Sequence, residues 1–222
     1  MELTGPQGKS FDAVKSFLNE IGPNWFPVEL NPLEVFQREQ NGADPAESCI
    51  SEGFMKAYFF NRKCSTGPGS LGLSEAFSGL GAVMDWLAHQ RNSIRKQVAK
   101  PDNEIKKEIC KHRTKYKRNP LPLLGFKSSR PATFVTVNLL RTLVAESNQW
   151  KTNDGLDFCH AAMASAFASI ATLDKHWKRR IENLPKPNRL AHIYYQPQLD
   201  KMVDDIESWL KQRRSGGALN AR

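Results

Sequence analysis

The sequence predicts an α/β fold, a three-layer α/β/α arrangement in which a small parallel sheet is covered by helices and carries a helical insertion. Two observations lead to it. Short β-prone runs (WFPVEL, SIATL and LAHIYY) alternate with segments of helical periodicity, and such alternation favours a parallel sheet with crossover helices. Carboxylates also stand where those runs end, as Asp174 does after SIATL, and ligands of open parallel sheets gather outside the carboxyl ends of the strands.

The elements follow in order. SFDAVKSFLNEIG sets Phe11, Val14, Phe17, Leu18 and Ile21 on one helical face, and Gly22 and Pro23 end it. WFPVEL reads as a strand entering NPLEVFQREQNG, where Asn31 can cap a helix, Pro32 suits the first turn and Glu34 stands three residues after the cap. EGFMKAYFFNR reads as a helix and NRKCSTGPGSLGLSE as a loop. The insertion, about 74–118, reads as a helix running to Pro101 and a second one through DNEIKKEICKHRTKYKR. NPLPLLGFKSSRPA is a loop and TFVTVNLLRTLVAES favours helix. Asp157 then heads the small-residue helix FCHAAMASAFA, suited to close packing on a sheet. SIATL is a strand, DKHWKRRIENL a helix and LAHIYY a strand. PQLDKMVDDIESWLKQRR closes the domain with Leu199, Met202, Val203, Ile206, Trp209 and Leu210 inward, and the tail 214–222 reads as disordered.

At 222 residues the chain suffices for one domain, spanning 1–213. No apolar run reaches the roughly 20 residues of a membrane span, and the start has no signal-peptide apolar region, so the expectation is a cytoplasmic protein without membrane contact. A net charge of +9 favours polyanionic partners. Cys49, Cys64, Cys110 and Cys159 lack zinc-ligand spacing and read as buried reduced thiols. The GPGSLGLSE loop lacks the Lys-Ser/Thr ending of a phosphate-binding loop.

The chemistry concentrates late in the chain. Asp157 opens a helix that feeds SIATL, Asp174 follows that strand, and Glu34 follows WFPVEL; Asp154 stands one turn before Asp157. Carboxylates converging from separate elements repel one another unless a hard divalent cation, magnesium or manganese, lies between them. Lys175, Lys178, Arg179 and Arg180, with Lys115 and Arg118 from the basic run ahead of Asn119, are candidates for a nucleic-acid backbone.

Asp157, AAMASAFA, SIATL and Asp174 with LDKHWKRR resemble the late motif of the PIN-domain nucleases, over about 152–195. Asn153, Asp154 and His160 are similar to the Asn-Asp before and the His after the first Asp in the larger relatives, and NPLE with Glu34 resembles the family's earlier Glu, with Glu39 as fallback. The resemblance implies metal-dependent endoribonuclease activity on single-stranded RNA, with Asp157, Asp174 and Glu34 as catalytic metal ligands. It also implies a toxin or host-defence setting with a neutralising protein partner, or a homo-oligomer. These nucleases begin with a hydrophobic strand ending in Asp. This chain begins MELTGPQGKSFDAV, and Asp12 falls within a helix, so either the true start lies upstream of Met1 or this is a shortened relative with a weakened site.

Each carboxylate has a simpler competing role. Asp157, Asp154 and Asp174 can cap helices, and Glu34 can complete a capping box with Asn31. His160 and Trp177 can be core residues, and the basic run a solvated face. The alternative function is a catalytically weak or inactive PIN-like module that binds nucleic acid or protein.

Overall fold

A computed structural model of the chain describes residues 27–56, 91–119, 122–146 and 154–215, with Asp12, Ala13, Ser16 and Glu20. Those four are helical and exposed, as the polar face of the first predicted helix requires. The apolar face of that helix, the 61–75 loop, Cys64 and the first part of the insertion lie outside the described residues.

The fold is mixed α/β and mostly helical. Helix α1 spans Pro32–Gln40, α2 Pro45–Ser48, α3 Arg91–Arg118, α4 Pro131–Ala145 and α5 Asp154–Phe167. Strand β1 (Ile170–Thr172), α6 (Lys175–Glu182), β2 (His192–Tyr194), a 3-10 turn (Gln196–Gln198) and α7 (Leu199–Ser215) complete it. The strands pair in parallel, Ile170 with His192, Ala171 with Ile193 and Thr172 with Tyr194, and α6 is the crossover between them.

Helices α3, α4 and α5 pack on one another, and their inner faces form the main core. Ile105 and Ile109 of α3 meet Phe134, Val135, Leu139 and Leu143 of α4 and Phe158, Cys159, Ala161 and Ala162 of α5. Ala171, Ile193, Trp177 and Ile181 add the sheet and α6 to the same cluster. The small residues of α5 do let it pack closely, on helices α3 and α4 as well as on β1.

The expected break at Pro101 is absent: α3 runs unbroken from Arg91 to Arg118. Full burial of Ile105 and near-full burial of Ile109 compensate for the lost proline N–H bond, so tertiary packing overrides a local breaker.

The described part of WFPVEL, residues 27–30, is not a strand of the sheet. Val28 makes one isolated antiparallel bridge to Ile50, the Glu29 N–H donates to the Cys49 carbonyl at 2.7 Å, and the Ser51 N–H donates to the Pro27 carbonyl at 3.0 Å. Pro27 has no N–H of its own, which limits the segment to this short local pairing.

The closing helix forms as expected but presents a different face. Leu199, Val203 and Leu210, predicted inward, are 42%, 50% and 50% exposed. The helix is held to β2 by polar and aromatic contacts instead: the Tyr194 hydroxyl donates to Asp205 at 2.6 Å, and Trp209 lies 4.8 Å from His192, ring centre to ring centre.

Candidate functional site

Asp174 lies two residues past the end of β1 and caps α6, accepting the Trp177 N–H at 2.8 Å. Three residues on, the buried Trp177 ring meets Phe158 of α5 edge-on at 6.1 Å. That contact packs the start of α6, just past the carboxyl end of β1, against α5 one residue beyond Asp157. Helix α5 begins earlier than its small-residue run indicated: Asp154 is its first described residue, and Asp157 lies within the helix instead of opening it. Both carboxylates are partly exposed and favourably placed against the positive end of the helix dipole.

Glu34 joins a different group. Asn31 caps α1 by accepting the Leu33 N–H at 3.1 Å, and its amide donates to Glu34 and to Glu104 of α3, each at 3.3 Å. The Asn31 N–H donates to Glu29 at 3.1 Å. Arg38 stands 3.8 Å from both Glu29 and Glu34, and its guanidinium donates to the carbonyls of Ser48 and Ile50. Glu34 thus meets an arginine and an asparagine at the mouth of α1. Among the described residues it does not stand at the end of a sheet strand, because residues 27–30 do not join the sheet. Two residues before Glu104, Asp102 accepts the Gly155 N–H at 2.9 Å, which ties this acidic group to the start of α5. Sequence reasoning missed Glu29, Asp102 and Glu104; the partners of Asp102 and Glu104 lie far along the chain, whereas Glu29 meets the nearby Asn31 and Arg38.

Glu39, the fallback ligand, is a buried structural residue. It is 1% exposed and accepts three hydrogen bonds from the start of α4: the N–H groups of Ala132 and Thr133 at 3.0 and 2.7 Å, and the Thr133 hydroxyl at 2.6 Å. Among the described residues, no three His, Cys, Asp or Glu stand together in a group that could hold a metal ion.

The basic candidates divide. Lys175 and Arg179 are exposed, as is Lys115 on α3. Lys178 is turned inward, donating to the Ile193 carbonyl at 2.6 Å and pairing with Glu182. Arg180 lies 4.7 Å over the Trp177 ring and pairs with Glu146. These two are bracing residues, since a long cationic side chain can bury its stem when a partner meets its head. Arg118 ends α3.

His160 is exposed, where a core position was the simpler expectation, and Trp177 is buried as expected. Of the cysteines, Cys49 and Cys159 are buried and Cys110 is exposed, the last against expectation because it faces away from the Ile105 and Ile109 stripe. Burial pushes the Cys159 thiol from its ordinary 9.0 up to about 12, helped by the charges of Asp102, Glu104 and Glu29. At pH 8 about one thiol in 10⁴ would then be ionised, so Cys110 is expected to alkylate with iodoacetamide while Cys159 stays protected, as peptide mass spectrometry will read. An acid whose folded pKa is raised contributes stability that is intact below its unfolded value and lost as pH climbs toward its folded one. The melting temperature should therefore fall between about pH 9 and 12, and Cys159→Ala should flatten that fall. An equally steep fall in the variant counts against it. Tyr194, raised to about 12 by burial and by its bond to Asp205, accounts for the part that persists.

No helix among the described residues is long and apolar enough to cross a membrane. The chain matches no family model, no curated protein and no solved structure.

Proposed function

We propose that this chain is a PIN-like α/β/α domain that acts on RNA as a metal-dependent endoribonuclease. One observation carries the reading: a parallel β1–α6–β2 crossover with Asp174 just past the carboxyl end of β1, where such sheets bind their ligands, and α5 packed against the start of α6 one residue beyond Asp157. Exposed Lys175 and Arg179 flank that end and suit a phosphate backbone. Magnesium or manganese, when bound, would supply an activated water and charge stabilisation at phosphorus. The described carboxylates do not make a finished site for such an ion, because Asp174 caps α6 and Glu34 is held by Asn31 and Arg38.

That same engagement favours a second reading, a PIN-like module that binds RNA without cutting it. End-labelled single-stranded RNA, incubated with manganese, with EDTA, and with the Asp157→Asn/Asp174→Asn double variant, separates the two. Asparagine caps helices about as well as aspartate, so the variant removes charge and leaves the cap of α6 in place. Cleavage by the native chain that falls at least about 100-fold in both controls is the expected result. Binding without cleavage by the native chain selects the second reading, and neither binding nor cleavage rejects both.

A further inference from the structure

Helix α3 carries a row of lysines on its outer side. Lys96, Lys100, Lys107 and Lys111 are exposed, and at about 100° per residue they share an arc of roughly 60°. That arc lies opposite the buried Ile105 and Ile109. Exposed Lys115 continues the row, which runs about 29 Å from Lys96.

A merely solvated face accounts poorly for this pattern. Exposed lysines elsewhere meet an acid one turn away, as Lys56 meets Glu52, Lys201 meets Asp205 and Lys211 meets Glu207. On α3 the residue four places after Lys96 is Lys100, and Lys107 is followed at the same spacing by Lys111 and then Lys115. Like charges so placed destabilise a helix. Among the described residues Lys96 and Lys107 have no acidic partner. Glu104 and Glu108 stand 3.9 and 3.7 Å from Lys100 and Lys111, but Glu104 also accepts the Asn31 amide and Glu108 meets His112 at 2.8 Å. The Lys100 and Lys111 side chains stay 70% and 69% exposed, so such surface pairs leave their ammonium groups open to a stronger anion.

We propose that the outer face of α3 is a phosphate track for single-stranded RNA, gripping the backbone through these lysines without reading bases. The inference rests on the RNA reading above and adds a surface apart from the sheet. A polyanion relieves the repulsion along the row and releases its own counterions on binding. The track is also fixed relative to the candidate site, because Asp102 of the same helix accepts the Gly155 N–H beside Asp154.

Fluorescence anisotropy of a labelled oligouridylate of about 15 nucleotides, in EDTA and roughly 0.05–0.3 M potassium chloride, reads binding apart from cleavage. Five lysine–phosphate contacts predict a slope of log affinity against log salt of about −3.5. Lys96→Gln/Lys100→Gln/Lys107→Gln/Lys111→Gln should flatten it by about 2.8 and weaken binding at least about 50-fold at 0.1 M salt. Glutamine matches lysine in helix propensity, so α3 is retained. Arginine at the same four positions should hold affinity within about threefold, since backbone contacts need charge and not a particular head group. Lys56→Gln/Lys127→Gln/Lys186→Gln/Lys211→Gln removes equal charge from exposed positions outside α3 and should also stay within about threefold. Native binding that survives the α3 glutamine variant, or falls equally in the second set, overturns the track and leaves the RNA reading standing. A native chain that does not bind the RNA overturns both.

Discussion

Replacing Glu39 with alanine should remove about 4 kcal/mol of stability, as much as truncating a large core side chain. The first turn of every helix leaves N–H groups without partners, and these are ordinarily met by a side chain just ahead of the helix. At α4 that position is Arg130, which makes no such bond. Glu39, 93 residues before Ala132, fills the role from α1, accepting from Ala132 and from both donors of Thr133. The carboxylate is buried, so its removal strands three donors away from water and leaves a cavity beside Val35 and Ala132. Each stranded donor costs about 1–3 kcal/mol, partly recovered as the site relaxes. Glu39→Gln keeps the shape and one acceptor but turns an amide against an N–H, and about 2 kcal/mol is expected. Urea denaturation of both variants checks the order. A loss below about 1 kcal/mol for Glu39→Ala would mean that α1 does not hold α4.

Legibility in the sequence followed the range of the interaction. SIATL, Asp174 and the helix after it were readable because strand, cap and helix signals lie within a dozen residues and agree. The same is true of Asn31 with Pro32; α4 was read as a helix from Thr133 and begins two residues earlier, with Pro131, assigned to the loop, at its first position. What stayed hidden depends on partners far away. Nothing near Glu39 marks it as the cap of α4, and nothing near Asn31 announces Glu104. Lys178 and Arg180 read as surface cations until a β2 carbonyl and Glu146 are placed beside them. Periodicity finds the apolar row of α7 but not which face the domain covers, so Leu199, Val203 and Leu210 were assigned to the wrong side. The candidate site shows the same division: Asp157 and Asp174 belong to one continuous helix–strand–helix stretch, whereas Glu34 was linked to them through WFPVEL, whose described residues 27–30 make only a local bridge to Ile50.

Gly155→Ala sets two effects of opposite sign against each other at that site. Glycine in a helix is less favourable than alanine by about 1 kcal/mol, so propensity alone predicts a gain. The surroundings predict the reverse. A Cβ at Gly155 would lie 2.1 Å from the Asp102 Oδ1 and 2.7 Å from the Asp102 Cα. The carboxylate can swing aside, but the Cα belongs to the backbone of α3, and relieving that contact means moving α3 and α5 apart. The Gly155 N–H then loses Asp102, a bond that closes the first turn of α5. Overpacking of this kind costs about 1–3 kcal/mol, and a lost bond to a charged acceptor about 1.5–3 kcal/mol more, so steric cost outweighs propensity and a net loss of about 3 kcal/mol is expected. Asp102→Ala, which leaves the backbone contact but removes the carboxylate, should cost about half as much and make Gly155→Ala less harmful on that background. A double-mutant cycle measured by urea denaturation resolves the coupling. If the two changes simply add, the Asp102 carboxylate is not what penalises a side chain at Gly155, and the backbone contact alone requires glycine there. Because Asp154 and Asp157 lie in the same turn, the variant also tests the site: the turn that carries both carboxylates holds its place only while α3 can come this near.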